Sequence, residues 1–221
     1  MEPAGEGITL YWSLVSQPSR SVKALLLAGD VPHKEEQKGE EYAKINPRQL
    51  VPFIKDGDFG LGESNAILKY IADSQASVPE HYWPKELKER YRVDQFLEYY
   101  QFHFRPALLS PLRTRIGQKF AKMDIPQDVL DFQEQNKKTA LDTLERLLHQ
   151  YEGDFLASNQ ISIGDFQIYF ELTNLILLKE TWETYPAITA WYNKVSENEH
   201  VKKINEQWSA ATSALIPVLN N

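Results

Sequence analysis

Three short stretches hold the residues best suited to chemistry: Ser16 in Ser16-Gln17-Pro18-Ser19, the pair Val51-Pro52, and Glu63-Ser64. Ser16 stands between an expected strand and an expected helix, where a serine either caps the helix or offers its hydroxyl to a bound molecule. A serine hydroxyl is too weak an acid to act unaided, and spacing nominates no His or Asp to complete a triad with it. It can donate a hydrogen bond to an incoming thiolate, which favours the charged form and lowers that thiol's pKa from its usual value of about 8.5. The chain has no cysteine. Disulfides, thiolate metal sites and a cysteine nucleophile of its own are therefore excluded, and any sulfur chemistry must use a thiol from outside.

Proline cannot donate to a sheet ladder, so Val51-Pro52 belongs at the start or edge of a strand, with its peptide bond either trans or cis. A cis bond would turn the amide and carbonyl of Val51 outward toward an extended peptide ligand. A trans bond would make Pro52 the plain opening of an edge strand. Glu63-Ser64 falls where a strand gives way to a helix. Unpaired amides and the helix dipole favour an anion there, so Ser64 could hold a ligand carboxylate while Glu63 meets an ammonium group. The simpler alternative is Ser64 as helix cap, with Glu63 preceding it. The five His are scattered without ligand spacing, and no metal is expected.

The elements that must position these residues follow from periodicity. Ile8 to Trp12 alternates as a strand, and Ser19 to Gly29 repeats Val22, Leu25, Leu26 and Ala28 at helical spacing. Leu50 to Lys55 and Asp58 to Gly62 flank Asp56-Gly57 as a hairpin, and Glu63 to Ser74 makes a second helix. From Pro84 onward helical periods alone remain. A long helix is expected from Lys85 to Gly117, bent at Pro106 or Pro111, and another from Gln127 to Tyr151. A third has a capping box of Ser162 and Asp165, an Ile161 to Phe166 staple and a body, Phe166 to Leu178, that reads as apolar nearly all round. Helices at Ile188 to Ser196 and Val201 to Leu219 complete the set. These patterns predict an α/β domain over 1–78 and an all-helical domain over 85–221, joined by a linker within Asp73 to Pro84.

The 221 residues, 42% hydrophobic and 25% charged, suit one large or two small globular domains. A net charge of −7 argues against nucleic acid or an anionic membrane as partner. No apolar run approaches the roughly 18 residues of a membrane span, and Met1 to Gly7 has no basic leader, so a cytoplasmic location is expected.

Four stretches, ITLYWSLVSQPSRSV, NPRQLVPFIKDGDFGLGESNAILKYIA, YWPKELKERYRVDQFLEYY and ISIGDF, span nearly the whole chain. In them, and in their order, it resembles the cytosolic glutathione S-transferases, most closely the theta class. The resemblance implies a thioredoxin-like N-terminal domain with a cis-proline at Pro52, an all-helical C-terminal domain, and a homodimer with the active site at the domain junction. It implies glutathione as co-substrate, with Ser16 as the activating serine and Val51 as backbone partner of the glutathione cysteine. Glu63 and Ser64 would hold the γ-glutamyl end, and Arg105 would face the site. Tyr11 lies inside the strand and is read as structural. The second substrate, a hydrophobic electrophile, would lie against the helical domain, where Tyr99, Tyr100, His103, Phe104 and Trp208 are candidates for an apolar wall and alternatively for core.

The chain departs from the family in two places. Between Pro32 and Asn46 the segment HKEEQKGEEYAKI is shorter than in theta-class relatives, which carry there the second strand, a loop, and a histidine and lysine near the glycine end of glutathione. Either the strand is shortened to His33 to Gln37, or the loop and small helix after it are gone. Leu50, which the resemblance places in the glutathione-binding set with Val51 and Pro52, stands where relatives often have a lysine, so the contact that lysine would make to glutathione is lost. The expected activity is glutathione conjugation to electrophiles, or peroxide reduction. The alternatives are a non-catalytic protein-association module, which the short segment favours, and a carrier of hydrophobic ligands.

Overall fold

The computed structural model describes residues 7–151 and 153–221; apart from Gly7, the segment read for a leader lies outside them. The first half forms a four-stranded sheet of β1 (Ile8–Tyr11), β2 (His33–Glu36), β3 (Phe53–Asp56) and β4 (Phe59–Gly62), in the order β2-β1-β3-β4. β1 and β2 are parallel and therefore need a crossover, which α1 (Gln17–Ala28) supplies; β3 and β4 run antiparallel as a hairpin. Gly57, at φ 57°, gives that tight turn its left-handed residue. Leu10 and Ile54 face each other across the ladder and are fully buried with Leu25 and Leu26 of α1 and Ile67, Leu68 and Ile71 of α3 (Ser64–Ser74). This is a thioredoxin-like arrangement.

The short segment keeps its strand. β2 is His-Lys-Glu-Glu, and it forms because it is an edge that pairs only with β1 and turns its charges to solvent. The buried Lys23 of α1 anchors it, with its ammonium 2.6 Å from both Glu35 Oε1 and His33 Nε2. A single helical turn, α2 (Tyr42–Ile45), follows, so the segment holds both a strand and a small helix joined by a loop of five residues, 37–41. After α2, Asn46 brackets the approach to Val51. Its Nδ2 donates to the Leu50 carbonyl at 2.8 Å, its Oδ1 accepts from the Arg48 amide at 3.1 Å, and the Tyr42 hydroxyl donates to the same Leu50 carbonyl at 2.6 Å.

The second half is helical: α4 (Leu87–Tyr99), α5 (Arg105–Phe120), α6 (Gln127–Gln150), α7 (Ile163–Leu177), α8 (Pro186–Ser196), α9 (Glu199–Thr212) and α10 (Leu215–Asn220). The long helix expected over Lys85 to Gly117 is interrupted by a π turn at Tyr100–Phe104, separated from Pro106 only by Arg105. Pro106 has no amide for the Phe102 carbonyl, so the ladder is already broken where the turn widens. Pro111 is carried inside α5. The helix expected over Val201 to Leu219 splits at Ser213, whose carbonyl would have lacked a donor at Pro217.

α7 is the central helix, buried along its length except Ile176. It is not the nearly uniform apolar rod its sequence suggests, because Gln167, Glu171 and Asn174 recur at helical intervals among its buried residues. Its start is set by the expected capping box. Asp165 accepts from the Ser162 amide (2.8 Å) and hydroxyl (2.7 Å), the Leu156 amide (3.0 Å) and the Trp191 indole (2.8 Å). Burial pushes the Asp165 carboxyl above its ordinary pKa, against these four donors. Asp165→Ala removes a cap and strands two further donors, so we expect a stability loss of about 3 kcal/mol or more. Denaturant midpoints check this: Asp165→Asn should lose less, and a loss below about 1 kcal/mol for alanine would mean that α7 is held by packing alone.

Candidate functional site

The loop before β3, the starts of α1 and α3 and the π turn converge on a cleft of about 210 Å³ between the two halves. Val51 and Pro52 form its floor, and their peptide bond is cis. β3 pairing begins only at Phe53, opposite Tyr11, and neither the amide nor the carbonyl of Val51 has a hydrogen-bond partner among the described residues. Leu50 beside it lines the cleft with half its surface exposed. Tyr11 packs on Tyr42 and Phe53 beneath the sheet edge.

Ser16 holds the N-cap position of α1, in extended backbone (φ −87°, ψ 117°), and its carbonyl accepts from the Arg20 amide at 3.1 Å. Its hydroxyl is not used as a cap and makes no hydrogen bond among the described residues. Pro18, in the same turn, lines the cleft. On the opposite side Glu63, not Ser64, is the N-cap residue of α3. Glu63 has φ 65°, a conformation that costs a non-glycine residue energy and fixes where its side chain leaves the chain. Its carboxylate pairs with Arg48. Ser64 is the first helical residue, and its hydroxyl accepts from Gln167 Nε2 of α7 at 2.7 Å, leaving its own proton free to donate. Asn65 accepts from the same Gln167 amide at 2.7 Å and donates to the Leu97 carbonyl at 2.9 Å, which ties this helix start to α7 and α4.

Arg105 reaches the cleft and is not simply solvated. Its Nη1 donates to the Tyr100 hydroxyl at 2.9 Å and to Glu171 at 2.7 Å. Glu171 is fully buried, its other oxygen accepts from Asn174 at 2.7 Å, and Asn174 in turn accepts from Gln17, the neighbour of Ser16. Burial pushes the Glu171 carboxyl and the Tyr100 hydroxyl up. Burial also opposes the Arg105 charge, but Glu171 and Tyr100 outweigh it and hold the guanidinium above its ordinary pKa. Parallel to this chain, the buried Arg20 donates to Thr173 at 2.8 Å and lies between the rings of Phe170 and Trp208, 5.0 and 4.7 Å from their centroids. Burial lowers its pKa to about 10.

Family models agree with this geometry. The glutathione S-transferase N-terminal domain matches residues 10–79, and the glutathione S-transferase C-terminal domain matches residues 112–207. The chain belongs to the glutathione S-transferase family. It is 31% identical to human glutathione S-transferase theta-2B over 201 residues, covering 86% of this chain and 80% of that one. It is 32% identical to mouse glutathione S-transferase theta-1 over 198 residues, covering 85% and 82%. Among solved structures it is similar to human glutathione transferase theta-2 in complex with glutathione and an unknown ligand, at 26% identity and a TM-score of 0.82 over 96% of this chain and 89% of that one. A human theta-class transferase with the glutathione conjugate of 1-menaphthyl sulfate gives 28% and 0.81 over 95% and 92%.

Within this transferase the aromatic residues expected along an electrophile wall divide. Tyr100 is fully buried and stands behind the cleft, where its hydroxyl accepts from Arg105. Phe104 is core, edge-on to Tyr99 at 6.4 Å, and His103 packs on Phe104 without reaching the cleft. Trp208 is buried against Arg20 and beside Leu112, Leu177, Leu178 and Leu219. The cause lies in the π turn, where the Arg105 amide bonds the Tyr100 carbonyl five residues back. Tyr100 therefore shares a face with Arg105, whereas an unbroken α-helix would pair it with Phe104. Residues that sequence reasoning missed complete the lining: Arg48, Gln101 and, two turns beyond Arg105, Arg113. Glu171 and Asn174 were also missed, although polar residues at helical spacing in so apolar a segment were a usable signal. Glu171→Ala leaves the Arg105 charge without its partner, and we expect a loss of about 3 to 5 kcal/mol in denaturant unfolding. Glu171→Gln, which can still bond Asn174, should lose clearly less; equal losses would show that the ion pair is dispensable.

Proposed function

We propose that this chain transfers electrophilic groups to glutathione, or reduces peroxides with it, at the cleft between its halves. The observation that carries the reading is the unpaired backbone of Val51 together with the Ser16 hydroxyl, unused as a cap at the start of α1; Ser16 itself lies outside the cleft lining, which Pro18 of the same turn reaches. An extended tripeptide would pair its cysteine residue with the Val51 amide and carbonyl, antiparallel to the edge. Its γ-glutamyl end would reach Glu63 and the Ser64 amide and hydroxyl, where the dipole of α3 favours a carboxylate. Leu50 and Pro52 would contact the tripeptide by packing, and Arg105 would add positive potential.

In this reading Ser16 donates its hydroxyl proton to the glutathione sulfur and stabilises the thiolate. The sulfur lone pair then forms a bond to an electrophilic carbon, and the leaving group departs with its bonding electrons. With a hydroperoxide the sulfur bonds the terminal oxygen as the O–O bond breaks and the alcohol leaves; a second glutathione then attacks the sulfur of the resulting sulfenic acid, forming the disulfide and releasing water. Gln101 and the α5 face beyond Arg105 stand nearest the second substrate, with Tyr100 buried behind them. The chain divides for this purpose into a glutathione-binding domain, 1–78, and a helical domain, 85–221. We further propose a cytoplasmic homodimer in detoxification, with the exposed Phe59, Tyr91 and Phe102 available to the partner.

A pure association module is the weaker reading, because β2 and the Asn46 bracket keep the cleft formed despite the short loop. Ser16→Ala should lower turnover of an aromatic halide or organic hydroperoxide about tenfold or more, equivalent to one pKa unit of the bound thiol. Its Kd for glutathione by calorimetry should change by less than about twofold. Normal turnover by the variant would dismiss Ser16 as the activating group, and absence of turnover in the unaltered protein would return the module reading.

A further inference from the structure

We propose that Arg48 is a glutathione-binding residue whose guanidinium takes the α-carboxylate of the γ-glutamyl end, so that the Arg48–Glu63 ion pair docks the ligand's amino-acid zwitterion as a unit. This rests on the glutathione reading above. Three arginines line the cleft, and they are not equivalent. Arg105 is committed to the buried Glu171, and Arg113 lies two turns further along α5. Arg48 alone is paired with Glu63, the carboxylate that would meet the ligand's ammonium group.

Both partners are held at the backbone, and their paired tips are exposed. The Arg48 amide is bonded to Asn46 Oδ1, the following Gln49 takes φ 53°, and Glu63 leaves the N-cap of α3 at φ 65°. Their side chains remain 64% and 56% exposed. An exposed pair of this kind contributes little stability, so its geometry can open at small cost. The γ-glutamyl end carries its ammonium and carboxylate on one carbon, roughly one ion-pair length apart. Set against Arg48 and Glu63, the four charges alternate: ammonium on Glu63, carboxylate on the planar fork of Arg48, with the Ser64 amide and hydroxyl as further donors. The neighbouring Leu50 offers no cation, which leaves Arg48 as the charged side chain of this loop that lines the cleft. Without the ligand carboxylate, the same arginine would compete with the ammonium for Glu63. The proposal therefore predicts a dependence on which ligand charge is present.

Calorimetric titration of the full chain and of Arg48→Ala and Arg48→Gln tests this with three ligands: glutathione, glutaryl-Cys-Gly, which lacks the ammonium, and 4-aminobutyryl-Cys-Gly, which lacks the α-carboxylate. Both variants should bind glutathione and the glutaryl ligand about tenfold or more weakly, since a charge-assisted contact is lost. They should bind the 4-aminobutyryl ligand as well as the unaltered protein does, or more tightly, with the melting temperature unchanged. Equal losses with both analogues would reduce Arg48 to a structural role, and unchanged or tighter glutathione binding would make it a competitor; either overturns the proposal alone. If the unaltered chain binds none of the three ligands, the glutathione reading fails and takes this proposal with it.

Discussion

The buried Glu171 carboxylate is the constraint around which the molecule is arranged. A charge with no exposed surface must be met by groups of fixed position, or folding would leave it unpaired at a cost of several kcal/mol. Arg105 meets it from α5 and Asn174 from the next turn of α7, and Asn174 is met by Gln17 at the start of α1. Arg20 with Thr173, and Gln167 with Ser64 and Asn65, make the same join on either side. The face between the sheet and the helices is thus bonded through directional contacts. An apolar seam would tolerate sliding; this one sets the register of α1 and α3 against α7, and with it the separation of Ser16 from Glu63 and Ser64.

The π turn extends that logic to the opposite wall. One additional residue in the turn shifts every later side chain on the helix by about 100° relative to an unbroken continuation. Without it, Arg105 would rotate away from Tyr100 and Glu171, and the buried carboxylate would lose its cation. Pro106 makes the widening inexpensive because its ladder position was already without a donor. A local backbone defect and a buried ion pair therefore depend on each other, and together they place the Tyr100 hydroxyl against Arg105 behind the cleft.

Much of the fold could be read from residue order because its signals are local. The β1 alternation, the Asp56-Gly57 turn and the Ser162/Asp165 box each express a preference within a few residues. The positions of Val51, Pro52, Glu63 and Ser64 at one cleft were accessible for the same reason, since each lies at an element boundary. The helical wall was not. Whether Tyr100, His103 or Phe104 faces inward depends on a π turn without a clear signature of its own, and Trp208 is drawn into the core by Arg20, a partner far away in sequence. Arg48 escaped notice because its role comes from the φ of Glu63, a backbone property that no residue type announces.

The shortened loop illustrates how the two kinds of constraint separate. The sheet needs β2 only as an edge, and its buried anchor, Lys23, belongs to α1. The cleft floor needs the Leu50 carbonyl fixed, and Tyr42 and Asn46, both after the shortened stretch, fix it. Gln37 to Glu41 adds to this support, since Lys38 donates to the Gln49 carbonyl at 2.9 Å and the Gly39 carbonyl accepts from the Tyr42 amide at 3.1 Å. With Leu50 uncharged, the cations of the cleft lining are Arg48, Arg105 and Arg113. The approach to Val51 is thus held both from within the loop and from the residues that follow it, so a loop this short still leaves the edge at Val51 formed.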